Sequence, residues 1–349
     1  MAAPNLPVGT VINAPPVAEP PQFAVRHANL ASADFGARVV SCSDEFFGAA
    51  ERMLQSSESI FIVGKFDDHG KWVDGWETQR RRNGGHDHAV VRLGLPGVIR
   101  GFDIDTSHFT GNFPPAASIQ GCYCADESDP TDETIWTDIL PATSLSGGSH
   151  HFLPIQDDRP WTHVRLHIYP DGGVARFRVF GQPLCDWHSK DPDALYEVSA
   201  LASGGRIVSY SDAHFGTPFR LIMPGRGVNM GDGWETRRRR DPGFDWCVIE
   251  LGHAAIVEKI EVDTAHFKGN YPDKVSIQAA RVEQGTDQSI TTQAMFWPEL
   301  LGEQKTEMHK QHYYTGDQIK PLGPVTHVRV NMFPDGGISR VRIWGRLAR

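Results

Sequence analysis

The chain has 349 residues, 40% of them hydrophobic and 22% charged, with 35 Gly, 24 Pro and a formal net charge of -9. That length allows two domains with sizeable cores, and the negative balance gives no electrostatic reason to expect nucleic acid. No apolar run reaches the roughly 18 residues of a membrane span. Cys42, Cys122, Cys124, Cys185 and Cys247 are an odd, dispersed set. Cys122-x-Cys124 has no second pair to complete a zinc site, so reduced thiols in a cytoplasmic protein are expected.

Residues 1–25 are rich in Pro and Ala and lack periodicity. They also lack the charged start and apolar core of a signal peptide, and a flexible N-terminal arm is expected. From Leu30 onward the text repeats itself. "LASADFGARVVSCSDEFFG" returns as "LASGGRIVSYSDAHFG" from Leu201, "DGWETQRRR" from Asp74 as "DGWETRRRR" from Asp232, and "THVRLHIYPDGGVARFRVFG" from Thr162 as "THVRVNMFPDGGISRVRIWG" from Thr326. Such words in the same order mark a duplicated domain, with copies over 26–183 and 199–349 and a linker over 184–198.

Within each copy the pattern is mostly strand. Glu51 to Leu54 can form one helical turn. Phe102 to Thr106 alternates apolar and acidic residues, then runs into a Gly-Asn-aromatic-Pro turn, as Ile260 to Thr264 does in the second copy; this reads as a half-buried strand entering a loop. Val164, Leu166 and Ile168 alternate with His163, Arg165 and His167, and after Pro170-Asp171-Gly172-Gly173 come Val174, Phe177 and Val179 with Arg176 and Arg178 opposite. That predicts a β-hairpin with one oily and one wet face. The oily face needs a partner sheet, and no helix-periodic run recurs between strands, so two jelly-roll-like sandwiches are expected.

The repeated words carry the chemistry. Asp105 and His108, with Asp263 and His266, place a carboxylate three positions from an imidazole. The pair can fix a tautomer for proton transfer, ligate a metal, or accept loop N–H groups. Asp103 and Glu261 share the faces of Asp105 and Asp263. In the Asp-Gly-Trp-Glu-Thr word, Trp76 and Trp234 offer a large apolar face, and Glu77 and Glu235 sit beside consecutive arginines. A guanidinium fork matches a small carboxylate, or it holds the loop together with the Glu. Consecutive strand residues point opposite ways, and Arg81 and Arg239 are chosen as the clamp. Arg165, Arg176 and Arg178 recur as Arg329, Arg340 and Arg342 on an anion-binding or simply solvated face. His86, His88, His151 and His167 become Phe244, Trp246, Tyr313 and Asn331, and His150 is matched to His312, which argues against two equal metal sites. No nucleotide-binding loop, nucleophile elbow or HExxH is present.

Taken together, "SDEFFG", "DGWETQRRR", "GFDIDTSHFTGNFPP" and "WTHVRLHIYPDGG", with their second copies, resemble the allantoicase (allantoate amidinohydrolase) family over roughly residues 25 to 349. The resemblance implies an all-β fold of tandem duplicated jelly-roll, galactose-binding-like β-sandwich domains, assembled as a homo-oligomer. It also implies hydrolysis of allantoate to ureidoglycolate and urea in purine breakdown for nitrogen use. On the chemistry above, the catalytic candidates are His108 for proton transfer with Asp105 orienting it, Glu77, and their copies His266, Asp263 and Glu235. Substrate contacts are expected from Arg81, Arg239, Trp76, Trp234, Arg165 and Arg329. The residues settle on no cofactor: a divalent metal would suit Asp/His chemistry, and no ligand spacing compels it. The alternatives are a hydrolase of a related ureido compound such as ureidoglycolate, and a non-catalytic tandem carbohydrate-binding module.

Overall fold

One long strand organises each repeat. A computed structural model describes residues 6–15, 17–125 and 128–348, in two units, Met1–Leu184 and Cys185–Arg349. The main strands of the first unit are β1 (Arg38–Cys42), β2 (Asp87–Asp105), β3 (Ala116–Cys122), β4 (Thr137–Ser144), β5 (His150–Pro154), β6 (Pro160–Tyr169) and β7 (Arg176–Pro183). The second unit repeats them as β8 (Arg206–Tyr210), β9 (Asp245–Asp263), β10 (Lys274–Ala280), β11 (Glu299–Lys305), β12 (Gln311–Thr315), β13 (Val325–Phe333) and β14 (Arg340–Leu347). Among the described residues no helix is long and apolar enough to cross a membrane.

The first half of β2 pairs with β1 and β6, and β6 carries β3 and then β4. Its second half pairs with β5 and β7. A single strand thereby serves both layers of a sandwich. The crossing lies at Gly94-Leu95-Pro96, where Pro96 cannot donate to a ladder. A Cβ on Gly94 would fall 2.6 Å from the Phe35 carbonyl oxygen, so only glycine lets the two backbones approach. β9 makes the same crossing with Gly252 against Ser203.

The expected hairpin is a correction. β6 and β7 do not pair with each other; both pair with β2, and the turn after Pro170 carries the chain from one layer to the other. The oily alternation is as expected: Phe102, Ile104, Phe177 and Val179 are fully buried, and Phe102 stacks on Phe177 at 6.0 Å. Each such side chain stabilises the sandwich by about 1.5–3 kcal/mol.

The expected wet face is not wet. Asp103, Asp105, Arg176 and Arg178 are all buried, because the segment around Ala50–Leu54 (one helical turn, as expected) to Glu77 folds over it. Arg176 donates to the carbonyls of Ser57 and Asp74 and to the Asp74 carboxylate at 2.7 Å. Arg340 does the same with Gly225 and Asp232. Part of the expected flexible arm is tied down as well: Val11–Asn13 pairs with Ile60–Ile62, and Phe23 on helix α1 (Gln22–Arg26) packs edge-on against Phe152 and Phe180. In the stretch read as a linker, Tyr196–Glu197 pairs with β14.

Candidate active site

The Asp-Gly-Trp-Glu-Thr word is the hinge between sheet and cover. Gly75 lies so close to Val174 and Ala175 that a Cβ would meet the Val174 oxygen at 2.6 Å. This presses Trp76 inward, where it is fully buried and donates its indole N–H to the Asp44 carbonyl at 2.8 Å. Trp234 is equally buried and donates to Asp212. Neither indole can touch a substrate, which corrects the expectation for both. Trp76→Phe should therefore leave KM unchanged and cost stability through the lost buried hydrogen bond and the cavity left by the smaller ring, together about 2–4 kcal/mol, read by urea denaturation beside steady-state kinetics.

The next residue turns back to the surface. The backbone of Glu77 bridges Gly48 and Gly173, and its half-buried carboxylate accepts from the Asn112 side-chain amide. Asn112 belongs to the repeated Gly-Asn-aromatic-Pro turn, and Asn270 bonds Glu235 in the same way. Burial pushes the Glu77 carboxyl above its ordinary value of 4.5, against the pull of Asn112 and Lys71. A carboxyl raised in the folded state contributes stability that is full below pH 4.5 and is lost as pH rises through the folded value. Glu77→Gln should accordingly gain thermal stability relative to the wild type between pH 4 and pH 7, measured as a difference in Tm across that range; a constant difference would show that Glu77 is not desolvated.

The arginine run lies in the loops that follow Trp76–Glu77 and Trp234–Glu235, outside any strand, and its members differ in what they contact. Arg81 turns onto Asp87 at 2.8 Å while remaining at the surface, with its backbone N–H on Asp171. Arg239 does the same with Asp245 and Asp335. Asp87 and Asp245 are in turn held by Ser43 and Ser211. Both chosen clamps are thus engaged in the scaffold. Their neighbours Arg80 and Arg238 are exposed and make no ion pair among the described residues. Arg238 lines a cavity of about 500 Å³ with Glu235, Thr236, Asn270, Tyr271 and Phe215, within the size range of small-ligand sites. The counterparts in the first repeat are Arg80, Glu77, Thr78, Asn112, Phe113 and Phe47. Sequence reasoning passed over Arg80, Arg238, Asn112 and Asn270, although the repeated Gly-Asn-aromatic-Pro turn signalled the two asparagines.

His108 and His266 have left-handed backbones, φ 69° and 70°. Their Nε2 atoms face the carbonyls of Ser59 at 3.2 Å and Gly227 at 2.8 Å, so Nε2 carries the proton in each. Asp105 does not orient His108. It accepts from the Ser107 N–H and faces His150, whose Nδ1 lies 2.9 Å from Asp103. Asp263 is instead held by Arg226. The register also corrects the pairing of histidines: His150 and Gln311 lie opposite Asp105 and Asp263, and His151 matches His312, each bonding a strand carbonyl through Nδ1.

Arg165 and Arg329 belong to another face. Arg165 bonds Gln120 and lies over Trp136, while burial and the Arg165 charge hold neighbouring His167 down to about 4. Arg329 is buried over Trp246 and Phe244. The structure gives neither a contact with Glu77 or Glu235. Among the described residues two groups could hold a metal ion, Cys122 with Cys124 and His163, and Glu58 with Asp105 and His150. Burial pushes the Cys122 thiol up to about 12.

Comparison with known proteins adds to this geometry. The family model described as "Allantoicase repeat" matches residues 28–184 and again 196–348. A probable allantoicase of Ralstonia nicotianae is 58% identical over 94% of this chain and 97% of its own length. One from Pseudomonas aeruginosa is 55% identical over 92% and 96%. The crystal structure of allantoicase from Saccharomyces cerevisiae superposes with a TM-score of 0.74 at 34% identity, covering 91% of this chain and 92% of that one.

Proposed function

The chain belongs to the allantoicase family, and from that premise we propose that it hydrolyses allantoate to ureidoglycolate and urea at the Glu77–Asn112 mouth and its copy at Glu235–Asn270. The observation that carries this siting is the repetition of a half-buried carboxylate held by an Asn amide, with Arg238 lining the cavity of Glu235 and Arg80 at the matching position of the first repeat's sequence. Allantoate carries one carboxylate and two ureido groups on a single carbon. Arg80, or Arg238, binds the carboxylate as a fork on two oxygens. The glutamate accepts a proton from water as the new C–O bond forms at the saturated central carbon and the C–N bond breaks in the same displacement, and that proton passes to the departing ureido nitrogen as urea leaves. Desolvation makes Glu77 the stronger base. His108 and His266, bound to loop carbonyls, position the loops; Asp105 and Asp263 hold the strand ends.

The same reading includes a place in allantoin degradation, a cytoplasmic setting in keeping with five free thiols, and assembly as a homo-oligomer. The test is urea and ureidoglycolate release from allantoate by the purified chain, with ureidoglycolate offered separately. Equimolar products from allantoate support the proposal. Urea from ureidoglycolate alone would overturn it in favour of the related hydrolase, and none from either would return the sandwiches to ligand binding.

A further inference from the structure

We propose that the first repeat binds a first-row divalent cation between Glu58, Asp105 and His150, and that the second repeat replaces this ion with Arg226. The ligand atoms of the three residues lie within 4.8 Å of one another. Asp105 is fully buried, yet its Oδ2 has no hydrogen-bond partner among the described residues, and neither has His150 Nε2. The nearest charged groups stand too far off to satisfy them: His150 Nε2 is 3.8 Å from Asp105 Oδ1, and Arg178 is 3.9 Å from Asp105 Oδ2. Such atoms are rarely left bare in a folded core.

The surroundings are those of a metal site. Asp103 lies 2.9 Å from His150 Nδ1. With the proton on Nδ1, the Nε2 lone pair faces Asp105, an arrangement in which a carboxylate orients an imidazole ligand. Arg178 pairs with Asp103 and Glu58 at 3.0 and 2.9 Å. One guanidinium against three carboxylates leaves two negative charges before His150 is counted, which a divalent ion matches. Two carboxylates and one imidazole suit Mn²⁺ or Zn²⁺.

The second repeat supplies the comparison. Gln311 stands where His150 does, and the Arg226 guanidinium sits 2.9 Å from Asp263 Oδ2. The equivalent carboxylate there already has its cation. In the first repeat the ion ties Glu58, on the exposed loop, to the sheet, next to the Ser59 carbonyl that receives His108.

The experiment reads binding and not turnover, so its outcome is independent of which substrate is hydrolysed. Chelator-treated full-length protein is titrated with Mn²⁺, followed by electron paramagnetic resonance of the free ion, and separately with Zn²⁺ by calorimetry. The expected result is one ion per chain. His150→Gln, which copies the second repeat, and Glu58→Gln, at an exposed position that does not threaten folding, should each weaken binding by at least about 10–100-fold, whereas Gln311→Ala should leave it unchanged. Absence of binding at millimolar Mn²⁺ and Zn²⁺, or affinity unaltered in both the His150 and Glu58 variants, would overturn the site.

Discussion

Exchanging Glu77 and Glu235 for glutamine together should lower urea release from allantoate by about 10²–10⁴-fold, the usual worth of a general acid–base group. Glutamine keeps the shape and the acceptor oxygen for Asn112 and Asn270, so the double variant should stay folded, and at neutral pH it is relieved of a desolvated charge. Each single variant should keep about half of the wild-type rate, because each repeat carries the Glu–Asn pair with an arginine at the matching sequence position, and the reaction needs one proton carrier. Activity of the wild type should fall as the pH drops through the raised value of Glu77, since the base must be ionised. Initial rates of urea formation across pH 4 to 8 check both points. A double variant retaining more than about a tenth of the rate is incompatible with glutamate as the base. A single variant that removes all activity is incompatible with two self-sufficient sites.

The largest expected effect on stability comes from Arg176→Ala. The Arg176 side chain is fully buried and bonds carbonyls of the covering loop as well as the Asp74 carboxylate. Removing it strands Asp74, itself 8% exposed, without its counter-charge. Breaking one side of a buried pair typically costs about 3–5 kcal/mol, and in a unit of this size that corresponds to a fall in Tm on the order of 10 °C. The loop it releases carries Glu58, Ser59 and the approach to Glu77, so activity should fall with folding. Differential scanning calorimetry should show a transition lowered for the variant. A shift under about 2 °C would mean that water or a rearranged loop replaces the guanidinium.

Much of this was legible in the chain itself. The duplicated words at Asp74 and Asp232, at Phe102 and Ile260, and at Thr162 and Thr326 determined the tandem organisation, because a copied domain must bury the same faces twice. Alternation of Val164, Leu166 and Ile168 determined strand and core side, since side-chain direction in a strand has period two. The same words carried the family. Local pattern could not decide what covers the opposite face. Asp103, Arg176 and Arg178 are polar and read as solvated, but a loop more than a hundred positions away from Arg176 closes over them, and buried charges then find partners. The fate of Trp76, drawn into the interior by Gly75, and of Arg81, drawn onto Asp87, depends likewise on contacts across the fold. So does the divergence of the repeats: Asp105 and Asp263 sit in nearly identical words, while their chemistry is set by His150 in one repeat and by Arg226 in the other. Sequence determined which faces exist, through backbone periodicity. Only the tertiary structure decided which side chains reach the solvent, because burial is a property of what packs on a face and not of the face alone.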